Sequence, residues 1–249
     1  MLYDISLNII YEYDHPADSS RSIIRLSPAD LPGEQRLVSS TLTIDPPPEE
    51  HRIQPDFFGN DSVQLVYLSA HKKITFSMEA RVERPAGKQQ PDNSPHLAAL
   101  AAEIARHHSL DASAPHHFIG PTLRVPIDAA TVQYARDLVT PEMTVCEAMV
   151  KIGEALNRDF KYDPEATTVE TPMLEAFAGR RGVCQDFSHI MISCLRGLGI
   201  PAGYVSGFLR TIPPPGRERL TGADAMHAWV RAWCGETMGW LEYDPTNKT

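Results

Sequence analysis

The sequence predicts an α+β protein: an N-terminal antiparallel β-sandwich over residues 1–84, a linker over 85–96, and a mixed domain over 97–249 in which helices precede strands. Three observations carry this. Up to residue 84, apolar side chains alternate with polar ones in short runs. From Arg84-Pro85-Ala86-Gly87 to Pro91 the chain is rich in Pro, Gly and Gln. After residue 96 apolar residues recur at three- and four-residue intervals, and alternation returns only beyond Pro201.

In the first part, Leu7, Ile9 and Tyr11 alternate with polar neighbours, as do Leu42 and Ile44, then Val63, Leu65 and Tyr67, and finally Ile74, Phe76 and Met78. Side chains two apart share one face of a strand, so each run presents a single apolar face. Asp45-Pro46-Pro47-Pro48 and Phe58-Gly59-Asn60-Asp61 supply turns. Short strands punctuated in this way suggest a small sandwich.

In the second part, Ser94-Pro95 reads as N-cap and first-turn residue of a helix from Leu97 to about Arg106, and another helix is expected near 128–139. Thr144 and Glu147 have capping-box spacing, ahead of Val145, Met149, Ile152 and Leu156 on one helical face. Thr171-Pro172 opens a short helix ending at Gly179. From Cys184 to Leu198, an apolar stripe of Phe187, Ile190, Met191, Cys194 and Leu195 predicts a helix that stops at Gly199. Strands are expected from Gly203 to Leu209, Ala228 to Trp233, and Trp240 to Tyr243.

Bulk properties narrow the function. With 249 residues, 42% hydrophobic and 22% charged, the chain has enough material for a substantial core. A net charge of −9, from 23 basic and 32 acidic residues with no run of Lys and Arg, argues against a nucleic-acid partner. No stretch approaches the ~18 apolar residues of a membrane helix. Met1-Leu2-Tyr3-Asp4-Ile5 lacks the basic-then-apolar start of a signal peptide, so a cytoplasmic protein with no membrane partner is expected. The four cysteines, Cys146, Cys184, Cys194 and Cys234, make no Cys-x-x-Cys pair, and no disulfide framework is expected. Cys146 and Cys194 lie on apolar helical faces and Cys234 near a strand end, where packing is the expected role.

Chemistry concentrates at Arg180-Arg181-Gly182-Val183-Cys184-Gln185-Asp186-Phe187. Gly182 lets the backbone turn sharply into a helix, which leaves Cys184 at the helix N-terminus, where unpaired N–H groups and the macrodipole favour a thiolate. A helix end contributes roughly 0.3–1 kcal/mol, up to ~2, against ~1.4 for one pKa unit. That alone does not make a neutral-pH nucleophile, so the pattern calls for an imidazole as well. His227, in Met226-His227-Ala228-Trp229-Val230, enters an apolar strand that can aim its ring. Asp244, closing Gly239-Trp240-Leu241-Glu242-Tyr243-Asp244-Pro245, can accept from the second ring nitrogen. The two are 17 positions apart, as expected of equivalent positions on hairpin-linked strands.

Gly182-Val183-Cys184-Gln185-Asp186-Phe187, His227-Ala228-Trp229-Val230 and Asp244-Pro245-Thr246-Asn247 resemble, in order and spacing, the three core blocks of the bacterial transglutaminase-like superfamily. Phe160-Lys161-Tyr162 and Leu198-Gly199-Ile200-Pro201-Ala202 resemble segments between those blocks, and the N-terminal β region resembles the domain that often precedes them. The resemblance implies a papain-like core, with a Cys-bearing helix packed on an antiparallel sheet that carries the His and Asp. It implies a catalytic triad of Cys184, His227 and Asp244 acting on a peptide or protein amide through a thioester that passes to water or to an amine, without cofactor. The Cys184 N–H is the expected oxyanion donor. Tyr162 is a second donor by resemblance, and Gln185, Asp186 and Trp229 are further oxyanion or substrate-binding candidates. Members of the superfamily usually continue with further strands beyond Asp244, so either the C-terminal end is cut short at Thr249 or the sheet edge is short.

Competing readings stand beside these. A peptide-binding module on the same fold, catalytically silent, is the alternative function. A different Cys-His-Asp acyltransferase, such as an arylamine acetyltransferase, is a more distant one. Asp186 and His189 share a helix face and either bind substrate or support the sheet. His107-His108 and His116-His117 place neighbours on different faces and are expected in solvated loops, not around a metal; no acidic loop has calcium-ligand spacing. Trp229, Trp233 and Trp240 are expected to pack, with Trp229 also able to wall a cleft. Arg180 and Arg181 are surface charge, or they favour the Cys184 thiolate or hold an acidic substrate group.

Overall fold

A computed structural model describes residues 1–85, 90–213, 216, 218–222 and 226–249, so part of the expected linker, 86–89, lies outside the described residues. Chain contacts gather into two units, Met1–Gln89 and Gln90–Thr249.

The first unit contains β1 (Leu2–Ala17), β2 (Ser20–Ile24), β3 (Arg36–Asp45), β4 (Glu50–Pro55), β5 (Asp61–Tyr67) and β6 (His71–Glu83). All pair antiparallel in two sheets, ordered β1-β6-β3 and β2-β5-β4. The alternation in β5 and β6 becomes the core: Val63, Leu65, Tyr67, Ile74 and Phe76 are buried, backed by Ile9, Leu42 and Ile44. Ile9 and Ile44 both stand level with Phe76, one from each neighbouring strand. β2 and β4 carry no alternation that sequence reading could register. They are the edges of the second sheet, and β4 is exposed over nearly all of its length.

The second unit runs α1 (Leu97–Arg106), a 3-10 turn (Pro115–Phe118), α2 (Ala129–Arg136), α3 (Val145–Asp159), β7 (Lys161–Tyr162), α4 (Met173–Gly179), β8 (Arg181–Gly182), α5 (Cys184–Gly197), β9 (Ala202–Phe208), β10 (Met226–Trp233), α6 (Gly235–Met238) and β11 (Trp240–Tyr243). β9, β10 and β11 form an antiparallel sheet with β10 central, and β7 pairs with β8 in parallel. Among the described residues no helix is long and apolar enough to cross a membrane.

α5 is the central element, packed on β10, β9, α2 and α4. Its burial is wider than the apolar stripe predicts, because Ser188, Ser193 and Arg196 are inside with Ile190, Met191 and Leu195. Partners make this tolerable for two of the three polar residues. Ser193 donates to the Pro126 carbonyl at 2.6 Å, and the Arg196 guanidinium donates to the carbonyls of Ala202 and Gly120, fixing the end of α5 to the start of β9.

Two local expectations need correction, and Arg180, expected as surface charge, is exposed but also packs on aromatic rings. Ser94 does not cap α1, whose N-cap is His96 without a side-chain bond; the Ser94 hydroxyl accepts from the Cys146 N–H at 3.1 Å, and so serves the first turn of α3 beside the Thr144–Glu147 capping box. The histidine doublets are not uniformly solvated. His116 donates to the His107 carbonyl at 2.6 Å and His107 meets Glu236 at 3.1 Å, while His108 and His117 are exposed. Arg180 ends α4 in the left-handed conformation, with its guanidinium 4.7–5.1 Å from the ring centres of Tyr134, Phe160 and Phe177. That is a cation–π cage, a packing role. Cys194 and Cys234 are fully buried and Cys146 half-buried.

Candidate active site

The turn into α5 is set by packing. β7 and β8 place Tyr162 level with Gly182, two residues before Cys184. Gly182 is needed for a reason other than a left-handed turn: a Cβ there would lie 2.4 Å from Asp186 Oδ2 and 2.8 Å from its Cβ. Asp186 is 2% exposed and its Oδ2 accepts from the Val183 N–H at 2.8 Å and the Thr167 hydroxyl at 2.6 Å. The carboxyl expected near substrate therefore faces inward and braces the residue before Cys184. Asp186→Ala would strand two half-buried donors and should cost about 2 kcal/mol of stability. An unchanged urea midpoint would contradict this account.

Cys184 is half-buried at the first position of α5, where its backbone N–H has no acceptor within the helix. Gln185 follows it, also half-buried. His227 is 1% exposed, on the second residue of β10. Its Nε2 lies 2.8 Å from Asp244 Oδ2. The register differs from the equivalent positions that the spacing suggested. Val230 pairs with Tyr243, so one step further Asp244 comes level with Trp229, and His227 is reached diagonally.

Asp244 also accepts on Oδ1 from the N–H groups of Thr246 and Asn247, at 2.8 and 3.3 Å, and on Oδ2 from Asn247 Nδ2 at 2.7 Å. A carboxylate surrounded by donors accepts only, so Nε2 carries the proton shared with Asp244 and Nδ1 is the nitrogen left over. Burial disfavours the charged ring. The hydrogen bond to Asp244 and the Cys184 side chain outweigh it and carry His227 up to about 9. Nδ1 is buried and has no hydrogen-bond partner among the described residues, while the Cys184 side chain helps to raise the ring.

The surrounding side chains shape the site. The Trp229 indole stacks near the imidazole, with centroids 6.2 Å apart and planes 26° apart. Gly207 leaves room for it, since a Cβ there would fall 2.4 Å from Trp229 Cη2. Tyr162 is half-buried; burial, and then the charge of Cys184, push its hydroxyl up. His189 is lowered by burial and lies against Tyr204, ring centres 5.3 Å apart. Tyr204 is pushed up to about 12 by burial and by Cys184 and Asp186. Tyr204, Thr167, Gly222 and the side chain of Asn247 carried no signal that singled them out. Only Asn247 lay inside a quoted motif. Among the described residues no group of three or more His, Cys, Asp or Glu side chains is arranged to hold a metal ion.

Residues 132–245 match the family model described as the transglutaminase-like superfamily, and residues 3–83 match that of the bacterial transglutaminase-like N-terminal region. An uncharacterized protein of Mycobacterium tuberculosis (strain H37Rv) is 33% identical over 257 residues, covering 98% of this chain and 78% of its own length. One from Mycobacterium leprae is 28% identical over 240 residues, covering 95% and 80%. In fold, the chain is similar to the crystal structure of a candidate cysteine protease from Cytophaga hutchinsonii, with a TM-score of 0.71 at 20% identity over 100% of this chain and 80% of that one.

Proposed function

Because the chain belongs to the transglutaminase-like superfamily, we propose that it is an enzyme that cleaves or transfers peptide and protein amides through a thioester on Cys184. The observation that supports this best is the imidazole of His227, held at 2.8 Å by Asp244 on one nitrogen and influenced by Cys184 on the other side.

In this reading the Cys184 proton passes to His227 Nδ1 and the sulfur attacks the amide carbonyl. The Cys184 N–H and the Tyr162 hydroxyl face the developing oxyanion. His227 then returns the proton to the leaving amine as the C–N bond breaks, leaving the thioester. Water or an acceptor amine opens the thioester, giving up its proton through the same ring. Asp244 keeps the proton on Nε2 throughout and balances the imidazolium.

Iodoacetamide tests the premise at pH 7. Cys184 should alkylate at least about tenfold faster than Cys146, and His227→Ala should abolish the difference. Equal rates at the two cysteines would overturn the assignment.

A further inference from the structure

We propose that Asn247 is a positioning residue, which clamps the backbone of Thr221 and Gly222 against the Nδ1 side of His227 while holding the carboxylate of Asp244. The inference rests on the reading of His227 given above and gives a role to Asn247, the last residue of the third block.

The Asn247 carboxamide uses both of its ends. Its Oδ1 accepts from the Thr221 N–H at 2.8 Å, and its Nδ2 donates to the Thr221 carbonyl at 3.2 Å and to Asp244 Oδ2 at 2.7 Å. One planar group therefore makes a strand-like pair of bonds to a loop residue 26 positions away, and it shares the oxygen that holds His227. The next loop residue, Gly222, has φ +81°, and a Cβ there would lie 2.7 Å from His227 Nδ1 and 3.3 Å from Cε1. No L side chain fits that approach without strain. The backbone of Gly222 thus covers the side of the ring on which Nδ1 is buried without a hydrogen-bond partner. Asn247 couples two requirements of the same imidazole, the orientation of its carboxylate and the cover over its reactive nitrogen.

The chemistry also explains the residue type. Aspartate at 247 would keep the shape and the bond from the Thr221 N–H. It would lose both donors and set a second carboxyl against Asp244 and the Thr221 carbonyl. Alanine would remove all three bonds.

The test compares wild type, Asn247→Asp, Asn247→Ala, Gly222→Ala and His227→Ala for the iodoacetamide rate at Cys184 and the ¹⁵N shifts of the His227 ring. Both Asn247 variants should lose about tenfold in alkylation rate, moving toward His227→Ala, with the ring shifts displaced although the protein remains folded by circular dichroism. Gly222→Ala should do the same with Asn247 intact, and it decides the matter if an Asn247 variant does not fold. Wild-type rate and ring shifts in folded Asn247→Asp or Gly222→Ala, while His227→Ala loses reactivity, would overturn the clamp and leave the reading of Cys184 standing. A wild-type Cys184 indifferent to His227 would instead overturn that reading.

Discussion

Cys184→Ala is expected to lower cleavage of peptide substrates by roughly 10³–10⁶-fold while leaving the fold intact. The sulfur is the one atom in the site that can form the thioester, and removing a nucleophile costs far more than removing a group that orients it. The structural cost should be small, because Cys184 is only half-buried at the first turn of α5 and its brace, Asp186, bonds to Val183 and Thr167 instead. The variant should also change its neighbour. His227 loses the Cys184 side chain, one of the influences that carry it up to about 9 against burial, so its ring should titrate at lower pH. A peptide library read by mass spectrometry measures the first effect and imidazole NMR the second. Turnover within tenfold of wild type, or an unmoved ring titration, would contradict the proposed roles.

Local patterns were legible in the sequence, while pairings between distant segments were not. The Thr144–Glu147 box depends on residues three apart, and it forms with both of its bonds. Ser94-Pro95 looks equally local, yet the hydroxyl, which donates to Asp92, accepts from a group 52 residues on, the Cys146 N–H. Likewise His227 and Asp244 are each recognisable in their blocks, but the diagonal register between β10 and β11 follows from where the turn around α6 falls. Asp186 sits in the same motif as Cys184. Its carboxyl turns back to the Val183 N–H, three residues away, but its second partner, Thr167, is one that no periodicity connects to it. β4 lacks an alternating pattern because an edge strand exposed along its length has no need of one.

Asp244→Asn should separate the electrostatic role of the carboxylate from its shape. Wild-type His227 is held at about 9 against an ordinary 6.5. A folded-state value above the unfolded one stabilises the native state fully below pH 6.5, and that contribution is lost as pH rises through about 9. The shift corresponds to at most roughly 3 kcal/mol. In the variant, the carboxamide oxygen still serves the N–H groups of Thr246 and Asn247, so its NH₂ turns toward His227 Nε2. Two donors cannot face each other, so the ring gives up the Nε2 proton and carries one on Nδ1, the position that must receive the proton of Cys184. Activity should fall by roughly 10²–10⁴-fold. Urea unfolding at pH 6, 7.5 and 9 should show a flatter dependence than wild type, with most of the lost stability at the acidic end. Parallel profiles for the two proteins would mean that Asp244 does not hold the charge on His227, because a group that only fills space shifts stability equally at every pH.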